Sequence, residues 1–313
     1  MKAIVYDRYG PPDVLHIEEV ARPEPKEGEV LVKVHAVAVT RADCAIRDAN
    51  RNGGALVSVI SRLVSGVGKP RQPILGSEFA GVVEATGEKV FGSTGFRFGA
   101  YAEYLSVKQS SRMSAMPGNV SFEQAAAVTD GGLNALWCLR WTKPHPGQKV
   151  LVYGASGAIG TAAVQVAKHF KAEVTAVCGT KNLGLMKALG ADSVVDYTRE
   201  DFTQNGRTYD VIMDAVGKHS FRRARRSLNP SGYYVATDGL DNLLLSLWNK
   251  QVIFKIPPRY TKQDVVLLKE LVEAGEFKPV VDRSYKMQDV VEASRYVETE
   301  QKTGNVILTI VPG

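Results

Sequence analysis

The sequence predicts an α/β protein with a doubly wound parallel sheet and a second, smaller β-barrel-like domain. Three observations carry this. From Val150 to Gly160 a short apolar run meets Gly154, Gly157 and Gly160, and the segment Thr161–Phe170 then follows without Pro or Gly. From Lys149 to Thr237 strand-like and helix-like stretches alternate, the pattern of a parallel sheet covered by helices on both faces. Residues 1 to about 115 instead hold many short β-rich stretches and few helical ones.

Length and composition fit this division. A chain of 313 residues is long enough for two cores. Hydrophobic residues at 44% and charged residues at 23% describe an ordinary globular surface and interior. No apolar run approaches the ~20 residues of a membrane span, and Met1–Asp7 turns polar too soon for a secretion signal. The expected location is cytoplasmic, with no membrane partner. Cys44, Cys138 and Cys178 lie far apart and the five histidines are scattered, so neither a zinc ribbon nor a structural metal is expected. The net charge of +6 suits an anionic ligand such as a dinucleotide, and equally a weak nucleic-acid surface or no partner.

In the N-terminal part, Lys2–Val5 reads as a first strand and Arg22-Pro23-Glu24-Pro25 as a rigid connector. Glu29–Val39 is β-rich and long enough to bend across two sheets of a barrel. Gly76–Glu84 reads as a glycine turn entering a strand, and Gly99–Leu105 as another strand. Pro117-Gly118 ends this region. Ser121 and Gln124 then have capping-box spacing ahead of a helix through Ala125–Ala127, with a second helical stretch over Leu133–Trp141.

In the alternating part, strand Val150–Tyr153 leads to helix 158–170 and strand Glu173–Cys178. Helix 182–189 leads to strand Ser193–Asp196, and strand Tyr209–Asp214 to helix Ser220–Leu228 and strand Tyr233–Thr237. The tail predicts helix 262–274, a strand near Val280–Tyr285, helix 287–299 and strand Asn305–Val311. Ligands of such sheets bind beyond the strand C-termini. There the turn Gly154-Ala155-Ser156-Gly157-Ala158-Ile159-Gly160 offers a sharp bend, close backbone approach and a helix N-terminus, which together favour phosphate. The plain alternative is a packing turn, and Ala155-Ser156 makes the spacing a variant of the usual dinucleotide fingerprint.

The order of elements resembles the medium-chain dehydrogenase/reductases, specifically the zinc-independent quinone oxidoreductase branch. The residues that carry the resemblance are Met1-Lys2-Ala3, Gly76–Val83, Gly154–Gly160, Leu189-Gly190-Ala191-Asp192 and Asp214-Ala215-Val216-Gly217. It implies a GroES-like catalytic domain over 1–118, a Rossmann-type NADPH-binding domain over 119–258 and a C-terminal return over 259–313. It also implies a homodimer formed through the edge strand Gln251–Ile256. In the zinc-dependent members a cysteine and a histidine ligand stand where this chain has Thr40 and Ser77, whose hydroxyls are poor zinc ligands. No metal site is therefore expected. The stretch from Glu88 to Phe91 is shorter than in relatives, which leaves the barrel's strand count open.

The resemblance assigns the nucleotide to Gly154–Gly160, Gly179, Thr180, Lys181, Tyr197, Val216 and Gly217, with Asn305 from the C-terminal return. NADPH is expected over NADH because Cys178-Gly179-Thr180-Lys181 carries no Asp or Glu to hold ribose hydroxyls, while Lys181 and Thr180 suit a 2′-phosphate. The bland reading leaves Lys181 as a solvated helix start and Tyr197 as a core-edge ring. Thr40 is the expected hydrogen-bond donor to the substrate oxygen, and Asn134 stands where relatives place threonine near the nicotinamide. Arg41, Asp43 and Arg47 are either near the substrate or in supporting ion pairs. The expected reaction is hydride transfer from NADPH to a quinone. The alternative acceptor is the C=C bond of an alkenal or enone, and the Arg51–Arg71 segment is either an apolar cover or a surface helix. A separate class, an NADPH-binding RNA-binding or sensor protein, rests on Arg222, Arg225 and Arg226 sharing a helix face. Nucleic acid is not the expected partner, because no aromatic platform interleaves these arginines.

Overall fold

The computed structural model describes residues 1–49, 65–255 and 258–311. Most of the proposed Arg51–Arg71 cover, and Ile256 and Pro257 of the expected edge strand, lie outside the described residues. The chain divides into two compact units. One comprises residues 1–130, 261–270 and 281–313, and the other residues 131–260 and 271–280.

The first unit is built on a mainly antiparallel sheet. Its strands are β3 (Glu29–Val39), β4 (Glu78–Val83), β5 (Lys89–Ser93), β6 (Tyr104–Lys108), β7 (Arg112–Ala115), β14 (Val281–Lys286) and β15 (Asn305–Thr309). They run in the order β14-β15-β3-β4-β5-β7, with β6 also on β3. β1 (Lys2–Val5) and β2 (His16–Glu19) form a separate antiparallel pair. The long strand β3 serves two sets of partners. Its first half pairs with β6 and its last residues with β15, and a register shift between Val34 and Ala36 marks the bend. Helices α1 (Arg41–Arg47) and α8 (Val290–Glu298) pack against this framework. Ile4, Tyr6, Val32, Val34, Phe79, Tyr101, Val306 and Leu308 are among the side chains filling its core.

The short Glu88–Phe91 stretch closes cleanly. The Gly87 N–H donates to the Val83 carbonyl and the Val83 N–H to the Glu88 carbonyl, so β4 and β5 form a tight hairpin. The strand expected at Gly99–Leu105 starts later, at Tyr104, because residues 99–103 spend their backbone groups on single bonds to Leu75, Gly76 and Lys2.

The second unit holds a fully parallel sheet. Its strands are β8 (Lys149–Tyr153), β9 (Glu173–Cys178), β10 (Ser193–Asp196), β11 (Tyr209–Asp214), β12 (Leu228–Ala236) and β13 (Val252–Ile253). Their order is β10-β9-β8-β11-β12-β13, so the strand sequence reverses between β8 and β11. Helices α3 (Ala158–His169) and α4 (Leu183–Ala188) follow β8 and β9. Consecutive apolar residues, Val150-Leu151-Val152 in β8, Ala176-Val177 in β9 and Val211-Ile212-Met213 in β11, are buried, as a sheet covered on both faces demands.

Three expectations change here. The two helical stretches around Ala125 and Leu133 are one helix, α2 (Phe122–Arg140). It runs through Gly131 because a Cβ there would lie 2.2 Å from the Ala158 carbonyl oxygen, so glycine serves close packing instead of ending the helix. The helix expected over Ser220–Leu228 is α5 (Phe221–Ala224), only four residues, followed by a 3-10 turn. Arg222, Arg225 and Arg226 therefore do not share a regular α-helical face. A helix over Leu240–Trp248, α6, was not expected from the sequence. The Ser121–Gln124 capping box forms in both directions, at 3.0 and 3.3 Å. Helix α7 (Lys262–Glu273) leads toward the C-terminal strands.

Candidate functional site

In the second unit the glycine turn leaves β8 at the point where strand order reverses. Gly154 sits at φ +74°, and a Cβ there would come within 2.6 Å of the Val216 side chain. The N–H groups of Gly154 and Ala155 donate to the Val177 carbonyl, which ties the turn to β9. Gly160 packs so closely that a Cβ would lie 2.3 Å from the Gly154 carbonyl oxygen. Gly157 differs: the nearest atom to its Cβ position is 3.8 Å away. It is the N-cap of α3 and has no side chain to satisfy the N–H groups of the first turn. Ala158 and Ile159 continue from it into the helix. The Gly157 N–H donates to the Gly154 carbonyl at 3.3 Å, and the open turn at the positive end of the helix dipole fits a phosphate.

The neighbouring turn after β11 is shaped by a side chain that sequence reasoning did not single out. The buried Asp214 carboxylate accepts the N–H groups of Val216, Gly217 and His219 at 3.1, 2.9 and 2.8 Å, and the Tyr234 hydroxyl at 3.2 Å. Gly217 takes φ +66° in this turn. Val216 and Gly154 thus meet across the switch point.

Beyond β9, Gly179 lies beside the Tyr197 ring, whose hydroxyl is 3.5 Å from the Cβ position of Gly179. Tyr197 is 57% exposed, so it is not the core-edge ring of the bland reading. Cys178–Lys181 itself carries no carboxylate, but one approaches it from the neighbouring strand. Register places Asp196 opposite Cys178, and its carboxylate accepts the Thr180 hydroxyl at 2.5 Å and the Thr198 hydroxyl at 2.7 Å. Those bonds hold the Asp196 carboxyl below the usual carboxylate range. Arg199 lies 3.7 Å away and offsets its charge. Thr180 is thereby committed to Asp196, which leaves Lys181 and Arg199 as the cations of this turn.

At the C-terminal ends of β12 and β13 a cleft of about 130 Å³ is lined by Asn134, Trp137, Trp141, Thr237, Phe254 and Lys255, among others. The Trp137 indole donates to the Lys255 carbonyl at 3.0 Å, and the Lys255 ammonium lies 5.3 Å from the Trp141 ring centre. The Asn134 side-chain oxygen accepts the Tyr260 hydroxyl at 2.8 Å.

The first unit brings another set of residues to one end of its sheet. Val39 pairs with Val306, Val37 with Phe79, and Glu78 with Ser93. Thr40, Ser77, Glu78, Ser93 and Asn305 consequently stand together at that end. Thr40 is buried. Its hydroxyl donates to the Asp43 carboxylate at 2.7 Å while accepting the Asp43 N–H at 3.1 Å, a capping box that starts α1. Its proton is directed at Asp43. Asp43 also accepts the Gly76 N–H at 3.0 Å. Arg41 pairs with Glu300 at 3.1 Å, and buried Arg47 pairs with Glu298 and donates to the Gly10 carbonyl at 3.0 Å. Of the two readings for these charges, ion pairing that supports the domain is the one observed.

Sequence reasoning passed over Glu78 and missed Asp130 and Lys302. Asp130 had a signal, a lone acid inside Ala125–Leu133. Lys302 had none, since its partial burial depends on the C-terminal strand returning beside β3.

Comparisons with known proteins agree with this geometry. Residues 26–118 match the model of the alcohol dehydrogenase GroES-like domain, and residues 189–308 that of the zinc-binding dehydrogenase domain. An NADPH-dependent alkenal/one oxidoreductase from Arabidopsis thaliana is 30% identical over 100% of this chain and 80% of its own length. A 2-methylene-furan-3-one reductase from Solanum lycopersicum is 31% identical with the same coverage. The solved quinone oxidoreductase from Coxiella burnetii superposes with a TM-score of 0.86 at 26% identity, covering 99% of both chains. With its switch-point glycine turn, parallel sheet and GroES-like unit, the chain belongs to the medium-chain dehydrogenase/reductase superfamily, in its zinc-independent, quinone-oxidoreductase-like branch.

Proposed function

We propose that the chain is an NADPH-dependent, zinc-independent reductase that transfers a hydride to a quinone. The observation that carries the nucleotide part is the open cradle at Gly157, placed where strand order reverses between β8 and β11. Bound there, the dinucleotide supplies the hydride chemistry. Amides of the Gly157–Gly160 turn hold its pyrophosphate, the Val216-Gly217 turn shapes its path, and the cleft beside Asn134 is large enough for a flat ring. Trp137 and Trp141 give that cleft electron-rich faces, which suit an electron-poor acceptor or nicotinamide. A second reading, reduction of the C=C bond of an alkenal or enone, is favoured by the printed activities of the Arabidopsis and tomato relatives. Metal-free chemistry is supported by the hydroxyls of Thr40 and Ser77 at the zinc-ligand positions. Among the described residues no group of three His, Cys, Asp or Glu side chains is arranged to hold a metal ion.

Preference for NADPH rests on Lys181 and Tyr197. Lys181→Ala is expected to raise the KM for NADPH about tenfold, the loss of one exposed charge-assisted hydrogen bond, and to leave the KM for NADH unchanged. Steady-state kinetics with both reductants checks this.

A second copy of the chain is the proposed partner. Among the described residues β13 pairs only with β12, and α6 beside it exposes Leu244, Leu247 and Trp248, the last at 87%. Pairing at this edge would cover both features. Among the described residues no helix is long and apolar enough to cross a membrane.

A further inference from the structure

The second unit carries a charge that its own fold does not use. The cleft beside Asn134 lies wholly within that unit, and among the described residues Lys255 is the only charged residue that lines it. The polar side chains around it are engaged elsewhere. Asn134 accepts the Tyr260 hydroxyl, and the Thr237 hydroxyl donates to the Asp214 carbonyl at 2.9 Å. The Trp137 indole N–H is spent on the Lys255 carbonyl. Burial pushes the Cys138 thiol up to about 12, so that wall of the cleft is uncharged near neutral pH. The Lys255 ammonium lies over the Trp141 ring and, among the described residues, has no carboxylate partner.

A cation beside apolar walls attracts an anion more strongly than a cation in open water, because part of the intervening solvent is displaced. Two contacts fix this one in place. The indole N–H of Trp137 holds the Lys255 backbone at 3.0 Å, and the face of Trp141 attracts the ammonium to 5.3 Å from the ring centre. Trp141 is 44% exposed, so its ring stands at the opening of the cleft and not in the core. Trp137 and Trp141 meet edge to face, with centres 5.6 Å apart and planes at 83°. Aromatic walls for a flat body and a cation for an anionic arm therefore stand within one side-chain length of each other. A single small ligand can use both.

We propose that the acceptor of this reductase carries a carboxylate and that Lys255 selects it. This rests on the reductase reading given above and names its substrate class: a quinone or enone with a carboxylate on a side arm. The hydride and its electron pair leave the reduced dinucleotide, which ends oxidised, and enter the quinone ring or the enone C=C bond. Water supplies the accompanying proton, and the carboxylate is unchanged by the reaction. Lysine suits the task, since its ammonium is a compact point charge with three donors and demands no planar partner. Lys255 acts on which acceptor enters, so its effect belongs in the ratio between charged and neutral acceptors.

The test measures kcat/KM with matched pairs of acceptors: a benzoquinone with an acetate arm against its methyl ester, and an alkyl enone with a carboxylate arm against its methyl ester. The saturated arm keeps the reacting centre alike within each pair. The acid-to-ester ratio is expected to fall about tenfold in Lys255→Met and in Lys255→Gln, the loss of one charge-assisted hydrogen bond. Lys255→Arg is expected to keep the ratio, and Lys255→Glu to lower it further. Lys250→Met removes the same charge from an exposed position outside the cleft and is expected to keep the wild-type ratio. In wild type the ratio is expected to shrink at about 0.5 M salt, where screening is strong. Wild-type turnover with a ratio that Lys255→Met and Lys255→Gln leave unchanged overturns the inference alone, because Lys255 then only supports the Trp141 wall. An equal fall in Lys250→Met also overturns it, since the overall charge would then be the cause. A wild type that consumes no NADPH with any of these acceptors removes the reductase reading, and this inference with it.

Discussion

Gly157→Asp is expected to abolish NADPH binding while leaving the fold intact. The Cβ position of Gly157 is open, with no atom closer than 3.8 Å, and aspartate is a favoured N-cap residue. The helix therefore starts as before, and the carboxylate satisfies the amides that the cradle leaves for phosphate. It also places like charge against the pyrophosphate. Two unit charges about 4 Å apart at a protein surface repel by about 4 kcal/mol, close to a thousandfold in affinity. A fluorescence titration with NADPH is expected to show no saturation at concentrations that saturate wild type, with a melting temperature within a few degrees of it. Gly160→Ala is the counterpart. Its added methyl meets backbone at 2.3 Å, so it is expected to destabilise the protein by about 3 kcal/mol or more, at the upper end of overpacking costs. A Gly157→Asp protein that bound NADPH normally would remove the glycine turn from the site.

Glu78 is expected to make the protein less stable as pH rises through neutrality. Burial moves its folded carboxyl up to about 7 from the ordinary glutamate value of 4.5, so between these pH values the folded state binds more protons than the unfolded one. Stability then falls with rising pH. The contribution is intact below about 4.5 and its loss is complete above about 7. The displacement corresponds to about 3 kcal/mol at ~1.4 kcal/mol per unit. In denaturant titrations the drop in unfolding free energy from pH 5 to pH 8 is expected to be about 3 kcal/mol larger in wild type than in Glu78→Gln. Equal drops in the two proteins would mean that Glu78 is ionised at pH 5 in the folded state.

Much of the second unit was legible because its signals are local. Strands at Glu173–Cys178, Ser193–Asp196 and Tyr209–Asp214 were read to the residue, since each is a short apolar run between glycine or polar turns. The glycine turn was legible for the same reason. Features that depend on distant chain segments were not. Asp196 joins Thr180 only through strand register, and Asp214 organises its turn through bonds that no spacing announces. The gap left between Ala127 and Leu133 is continuous helix, in which Gly131 packs on Ala158. The Leu240–Trp248 segment has leucines at helical spacing, at 240, 243, 244 and 247, yet no helix was expected there, and several of its leucines face solvent. In the first unit Thr40 was found by position, but its hydroxyl bonds Asp43, three residues away. Glu78 takes its character from Asp130 and from the hydroxyls of Ser93 and Thr129, all well removed in sequence.

The most direct test of the central claim is NADPH consumption with a chelator present, offering an ortho-quinone and an alkyl enone in separate assays. Quinone-dependent consumption that survives chelation is the predicted result, and enone-dependent consumption alone would instead establish the C=C reductase reading on the same fold. Tight NADPH binding without turnover of either acceptor would contradict the claim of a quinone- or enone-directed reductase.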